Sequence, residues 1–191
     1  MKPSKHIKTL IGFAGVIFTT IFIGCAMMVN VPLSNYNPAF TGDYSAYKGK
    51  RVYLMNFDNQ ANDTTIWSYS SLDKKFSYSN NDLINNYFWY AFEKAFTKLG
   101  MLVSRMDNPD LTAPAMWVTL LSITDVNYRV RVTVQEKGIT VFTEEYTVQE
   151  PPIAEKERNP AILEERAYIM TNKLVSTILK DSAFQKHLTG P

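Results

Sequence analysis

Val126-Asn127-Tyr128-Arg129-Val130-Arg131-Val132-Thr133-Val134-Gln135 alternates apolar and polar side chains without a break. A strand repeats its side-chain direction every two residues, so Tyr128 and the valines fall on one face and the two arginines on the other. That is the pattern of an antiparallel sheet with one buried and one wet face. Glu136-Lys137-Gly138 supplies a hairpin turn into a second β-rich run, 139–148, and residues 117–124 form an earlier one. Three antiparallel strands are therefore expected in succession, ended by Pro151 and Pro152.

Working outward, residues 51–57 are rich in β-formers and predict a first strand, followed by a long polar loop over 58–81. The clearest helix comes next. Asn81 or Asp82 caps it; Ile84, Phe88, Phe92 and Phe96 form one i, i+4 row, and Tyr87, Ala91, Ala95 and Leu99 form the adjacent row. Gly100 stops it, and residues 101–106 predict a strand parallel to the first across a right-handed crossover. Asn159-Pro160 opens a final helix with Leu163, Ala167, Met170, Leu174 and Ile178 on one face. The expected fold is α+β: a mixed, mainly antiparallel sheet with two helices packed on one face, in the order β-α-β-β-β-β-α.

The N-terminus is of a different kind. Lys2, Lys5 and Lys8 precede an uncharged run that extends to Gly42 and contains Phe22-Ile23-Gly24-Cys25. Cations that stay in the cytoplasm, an apolar segment over 10–23 and a small residue at the cut form an export signal. These residues resemble the lipobox of bacterial lipoproteins, with Phe22 where that pattern usually has Leu. The resemblance implies signal cleavage after Gly24 and lipid attachment at Cys25, the only cysteine in the chain. Ala26 after the cysteine implies the inner leaflet of the outer membrane. The alternative is an uncleaved inner-membrane anchor over residues 9–33. The expected organisation is a signal peptide over 1–24, a lipidated N-terminus and tether over 25–49, and one periplasmic domain over 50–191.

Charge narrows the function. Three of the 20 Lys and Arg lie in the signal and none of the 18 Asp and Glu do, so the exported part is close to neutral. No cationic surplus calls for nucleic acid. With a single cysteine no internal disulfide forms, and packing alone must hold the domain.

Catalytic signatures are missing. Only His187 remains after the signal, near an end expected to fray, and Cys25 loses its thiol on acylation. No GxGxxG, Walker A, GxSxG or HExxH run occurs, and no metal site or cofactor is expected. Asp58 to Asp63 resembles a calcium loop only faintly, because its sixth position is Asp63 instead of Gly and its twelfth is Tyr69 instead of Glu. The polar loop after the first strand holds Trp67, Tyr69, Phe76 and Tyr78, which are candidates for contact with a partner or, in the alternative reading, for an extra hairpin folded onto the sheet. Arg129 and Arg131, on the wet face, are candidates for an anionic partner.

The order of lipobox, tether, strand ending in Met55-Asn56-Phe57-Asp58-Asn59, polar loop, aromatic helix closing at Lys98-Leu99-Gly100 and antiparallel strands resembles small bacterial envelope lipoproteins. The groups it is most similar to are the YajG-like lipoproteins and the auxiliary lipoproteins of ABC-type transport systems. That resemblance implies helices on a mixed sheet, no catalytic residues, and an accessory role. The expected function is a non-enzymatic, lipid-anchored periplasmic protein that binds another component of an envelope transport or assembly system. The rival is a carrier for a lipid or other apolar ligand, held beside Phe88 and Phe92.

Overall fold

A computed structural model describes residues 27–33, 35–61, 67–71, 74–79 and 84–190. In chain order the elements are β1 (Met27–Pro32), β2 (Arg51–Leu54), β3 (Asp58–Asn59), β4 (Trp67–Ser71), β5 (Lys74–Ser79), α1 (Ile84–Lys98), β6 (Leu102–Ser104), β7 (Ala115–Ile123), β8 (Asn127–Glu136), β9 (Ile139–Gln149), α2 (Pro160–Lys180) and α3 (Ser182–Thr189). The expected cap of α1 at Asn81 or Asp82 lies outside the described residues.

The main sheet has the order β6-β2-β7-β8-β9, with β3 also paired to β7. The period-two run becomes β8, paired antiparallel to β7 and to β9. Its turn is the tight kind read from the sequence: Lys137 and Gly138 both have positive φ, at 51° and 80°, which matches the strand twist. β2 and β6 are parallel neighbours, as a strand-helix-strand unit requires. The fold is thus α+β with a mixed, mainly antiparallel sheet.

One face of this sheet is covered. Val52, Leu54, Met116, Val118, Leu120, Tyr128, Val130, Val132, Val134, Phe142, Tyr146 and Val148 are all buried against the helices. Both rows of α1 join them, because a helix lying flat on a sheet buries a broad stripe. Phe92 meets Phe57 at 5.3 Å and Phe96 at 5.9 Å, edge to face, and Phe88 meets Tyr128 at 5.6 Å. Gly100, at φ 78°, ends the helix in the left-handed conformation that Gly adopts most freely. In α2 the Asn159 side chain accepts from the Ile162 amide, Pro160 sits in the first turn, and Leu163, Ala167, Met170, Leu174 and Ile178 are buried as the spacing requires.

Three expectations are corrected. First, the stretch over 58–81 is not one polar loop: it contains β3, β4 and β5, and β4 with β5 makes the extra hairpin of the alternative reading. β5 pairs antiparallel with β4 and parallel with β1, making a second, three-stranded sheet. Trp67 and Tyr69 alternate with serines, as do Phe76 and Tyr78, and that period of two is a strand signal.

Second, residues 31–47 are not a free tether. Val31, Leu33, Tyr36 and Tyr47 are buried in the core cluster. The strap runs alongside α2: the Asn35 amide donates to the Tyr168 hydroxyl, the Tyr36 hydroxyl to Asn172 Oδ1, and the Tyr47 hydroxyl to the Leu179 carbonyl at 2.8 Å. Lys94 and Lys98 of α1 donate to the Tyr36 and Pro38 carbonyls from the other side. Tyrosines spaced along the strap supply the apolar area that a tether lacks, and desolvation raises the Tyr47 pKa well above its ordinary value.

Third, the C-terminus is not frayed, because Phe184 and Leu188 of α3 are buried. The His187 ring lies 5.8 Å from the Phe142 ring, with Nδ1 3.9 Å from a Glu136 carboxylate oxygen.

Asp181 joins α2 to α3. Its carboxylate accepts from the Ala183 and Phe184 amides at 2.7 and 3.2 Å, and the Tyr146 hydroxyl donates to it at 2.6 Å. Burial pushes its pKa up, but these hydrogen bonds outweigh burial and hold it below the usual carboxylate value. With the folded pKa below the unfolded value of about 3.9, the carboxylate contributes stability above about pH 4 and loses it as pH falls through the folded value. Asp181→Ala is expected to remove about 1–2 kcal/mol at pH 7, measured by urea melts, with a smaller loss at pH 3. An equal loss at both pH values would contradict this assignment.

Candidate functional site

A cleft opens where β6 stops. Leu54 pairs with Met116 and Asp58 with Thr119, so one extra residue is accommodated between β2 and β3 as they follow β7. Such a bulge re-aims side chains. Here Phe57 is buried against Phe92 while Asn56 is exposed. On the other side of β2, β6 ends at Ser104 and the chain turns back through an Arg105–Asn108 bridge. The gap is about 430 Å³, lined by Asn56, Phe57, Asn85, Asn86, Trp89, Tyr90, Arg105, Met106 and Asp107.

The topology makes this a natural place for a ligand. Ligands of open α/β sheets bind beyond the carboxyl ends of parallel strands, where the chain connections diverge. β2 and β6 both end here, the start of α1 forms one wall, and the chain reaches β6 on one side of β2 before crossing to β7 on the other.

Arg105 is engaged by two side chains of α1. Its guanidinium lies 5.6 Å from the centroid of the Trp89 ring, and Nε and Nη2 both donate to Glu93 Oε1. Asn85 donates to the Phe57 carbonyl at 3.1 Å. Asn56 and Asn86 make no side-chain hydrogen bond to a described residue. The lining offers three amides, which both donate and accept, beside one guanidinium and one carboxylate.

A second feature is β9, eleven residues long and paired only with β8 among the described residues. No described strand pairs with its other edge. Edge strands are usually short or protected, because their free N–H and C=O groups can template another strand.

The residues singled out from sequence are distributed as follows. Gly24 and Cys25 lie outside the described residues. Trp67, Tyr69, Phe76 and Tyr78 occupy β4 and β5, with Trp67 opposite Tyr78 and Tyr69 opposite Phe76. Val31 is opposite Tyr78 across the parallel pair with β1. Arg129 and Arg131 do lie on the open face of the main sheet, but both are engaged by Glu145, at 3.7 and 2.6 Å. Asp58 and Asn59 form β3 instead of a calcium loop. The cleft itself is missing from the sequence reading. Its only local trace is Asn56, two residues past the end of β2, and the Asn85-Asn86 pair at the head of the helix.

No protein-family model matches the chain, and no curated protein matches it. Solved structures do. A crystal structure of a Xanthomonas campestris protein of the DUF330 family is similar with a TM-score of 0.57 and 8% identity, over 85% of this chain and 96% of that one. The likeness is one of fold, and it covers nearly the whole of that protein. A lipoprotein of Neisseria meningitidis matches with a TM-score of 0.35 and 8% identity, over 68% of this chain and 99% of that one, too distant to carry an argument.

Proposed function

We propose that the chain is a lipid-anchored accessory protein of the bacterial envelope, not an enzyme, and that it holds a partner of a transport or assembly system along the free edge of β9. The length of that edge carries the reading. About half of its eleven residues direct their main-chain groups away from β8, toward an incoming strand from a partner, while Phe142, Tyr146 and Val148 fix the edge strand to the core. The N-terminal residues support the anchoring half: Gly24-Cys25 after an apolar run, with Ala26 favouring the outer membrane.

The strap changes what such an anchor does. β1 begins two positions after Cys25, a reach of only about 7 Å, so the domain is mounted close to its leaflet. The rival membrane-spanning reading loses ground too, since Met27–Pro32 is a strand and the span it could use stops at Ala26. Eighteen residues, Thr9 to Ala26, sit at the lower limit of about 17–25 for a crossing helix. Among the described residues no helix is long and apolar enough to cross a membrane. The carrier reading places its ligand beside Phe88 and Phe92, and aromatic rings of the core fill that place.

A photo-crosslinking side chain at Thr143 or Thr147, exposed positions on β9, tests the edge in living cells. Adducts to one envelope protein from both positions, and none from exposed Lys156, are expected. Equal labelling from all three positions would remove β9 as the interface.

A further inference from the structure

We infer that the cleft beyond β2 and β6 is a saccharide-binding site, which takes one short segment of an uncharged, polyhydroxylated chain, such as an N-acetylated glycan. Three observations converge on that chemistry.

The first is the polar set. Asn56 and Asn86 are free among the described residues, and Asn85 uses one donor on Phe57, so each amide has both donor and acceptor capacity left. A hydroxyl also donates and accepts, so a row of amides suits a polyol better than it suits an anion.

The second is charge. Arg105 is the only cation in the lining, and Glu93 neutralises it, while Asp107 adds a carboxylate at the rim. A phosphate or sulfate would meet no net positive field here. Two of the five N–H donors of Arg105 are used on Glu93, which leaves others for a neutral oxygen.

The third is apolar surface. Tyr90 and Met106 are 45% and 53% exposed in the lining, two of the few large hydrophobic side chains that are exposed among the described residues. A pyranose has an apolar face of C–H groups that rests on such a surface. Trp89 adds an indole N–H that is buried with no acceptor among the described residues, an arrangement that costs about 1–3 kcal/mol when left unmade.

None of the lining residues belongs to β9 or to the N-terminal lipid-attachment sequence, so the test of this site depends on neither. Full-length protein, in a zwitterionic detergent without a sugar headgroup, is titrated with the trimer of N-acetylglucosamine and, separately, with trialanine and inorganic phosphate. Intrinsic tryptophan fluorescence and calorimetry read the binding. Saturable binding of the trimer alone is expected, weakened about tenfold by Tyr90→Ala and by Asn86→Ala, with Lys156→Ala unchanged. Tyr90 is exposed and Asn86 half-buried, so both variants should fold, and circular dichroism checks this. Saturation by trialanine or phosphate instead of the trimer would overturn the inference. So would trimer binding that survives both substitutions, or no saturable binding of the trimer.

Discussion

Phe92→Ala is expected to destabilise the domain by about 3–5 kcal/mol, the range for deleting a buried aromatic ring when its neighbours cannot close the gap. Phe92 is fully buried between Phe57 and Phe96 and stands where both rows of α1 meet the sheet. The rings around it belong to separate elements, so collapse into the cavity would require moving β2, β3 or α1 as a body. A small domain has about 5–15 kcal/mol in all, so this variant should unfold at much lower urea and by a broader thermal transition. Phe92→Leu, which keeps most of the volume, should cost clearly less. Equal, small losses for both would mean that the aromatic layer between helix and sheet is not the centre of the core.

Tyr47→Ala has the second large effect, at about 3–5 kcal/mol by the same reasoning. The ring is fully buried between the strap and the end of α2, and its hydroxyl donates to the Leu179 carbonyl. Tyr47→Phe separates the two contributions, because it removes only the hydrogen bond and should cost about 1 kcal/mol. The comparison decides how the N-terminal segment works. If Tyr47→Ala proves neutral, residues 31–47 are dispensable to the fold and behave as a loose tether; a large loss makes the strap a structural part of the domain.

Much of the architecture is legible in the sequence because its signals are local. The alternation in β8, the Gly138 turn, the double row on α1 and the Asn159-Pro160 start of α2 each declare an element and its buried face. The strap and the small sheet are not legible in the same way. Pro32, Pro38, Gly42 and Gly49 read as linker punctuation, whereas the burial of Tyr36 and Tyr47 depends on α2, more than a hundred residues downstream. In β4 and β5 the serine-aromatic alternation is present, but its polar composition suggests a loop when no partner strand is in view. β1 begins two positions after Cys25, where an apolar segment reads as export signal or anchor instead of strand.

The cleft was beyond reach for a further reason. It is made by the difference in length between β6 and the β2–β3 pair, and by one extra residue between β2 and β3. Neither leaves a motif. Asn56, Asn85, Trp89 and Arg105 come from three segments that only the crossover brings together.

The intact mass of the full-length protein expressed in a bacterium, beside that of Cys25→Ala, tests the central claim most directly. The account predicts loss of Met1 to Gly24 and a gain of acyl chains, with both absent in the variant, which should also leave the outer-membrane fraction. An unprocessed mass, identical in the two proteins apart from the substituted side chain, would contradict lipid anchoring and leave Thr9 to Ala26 as the means of membrane attachment.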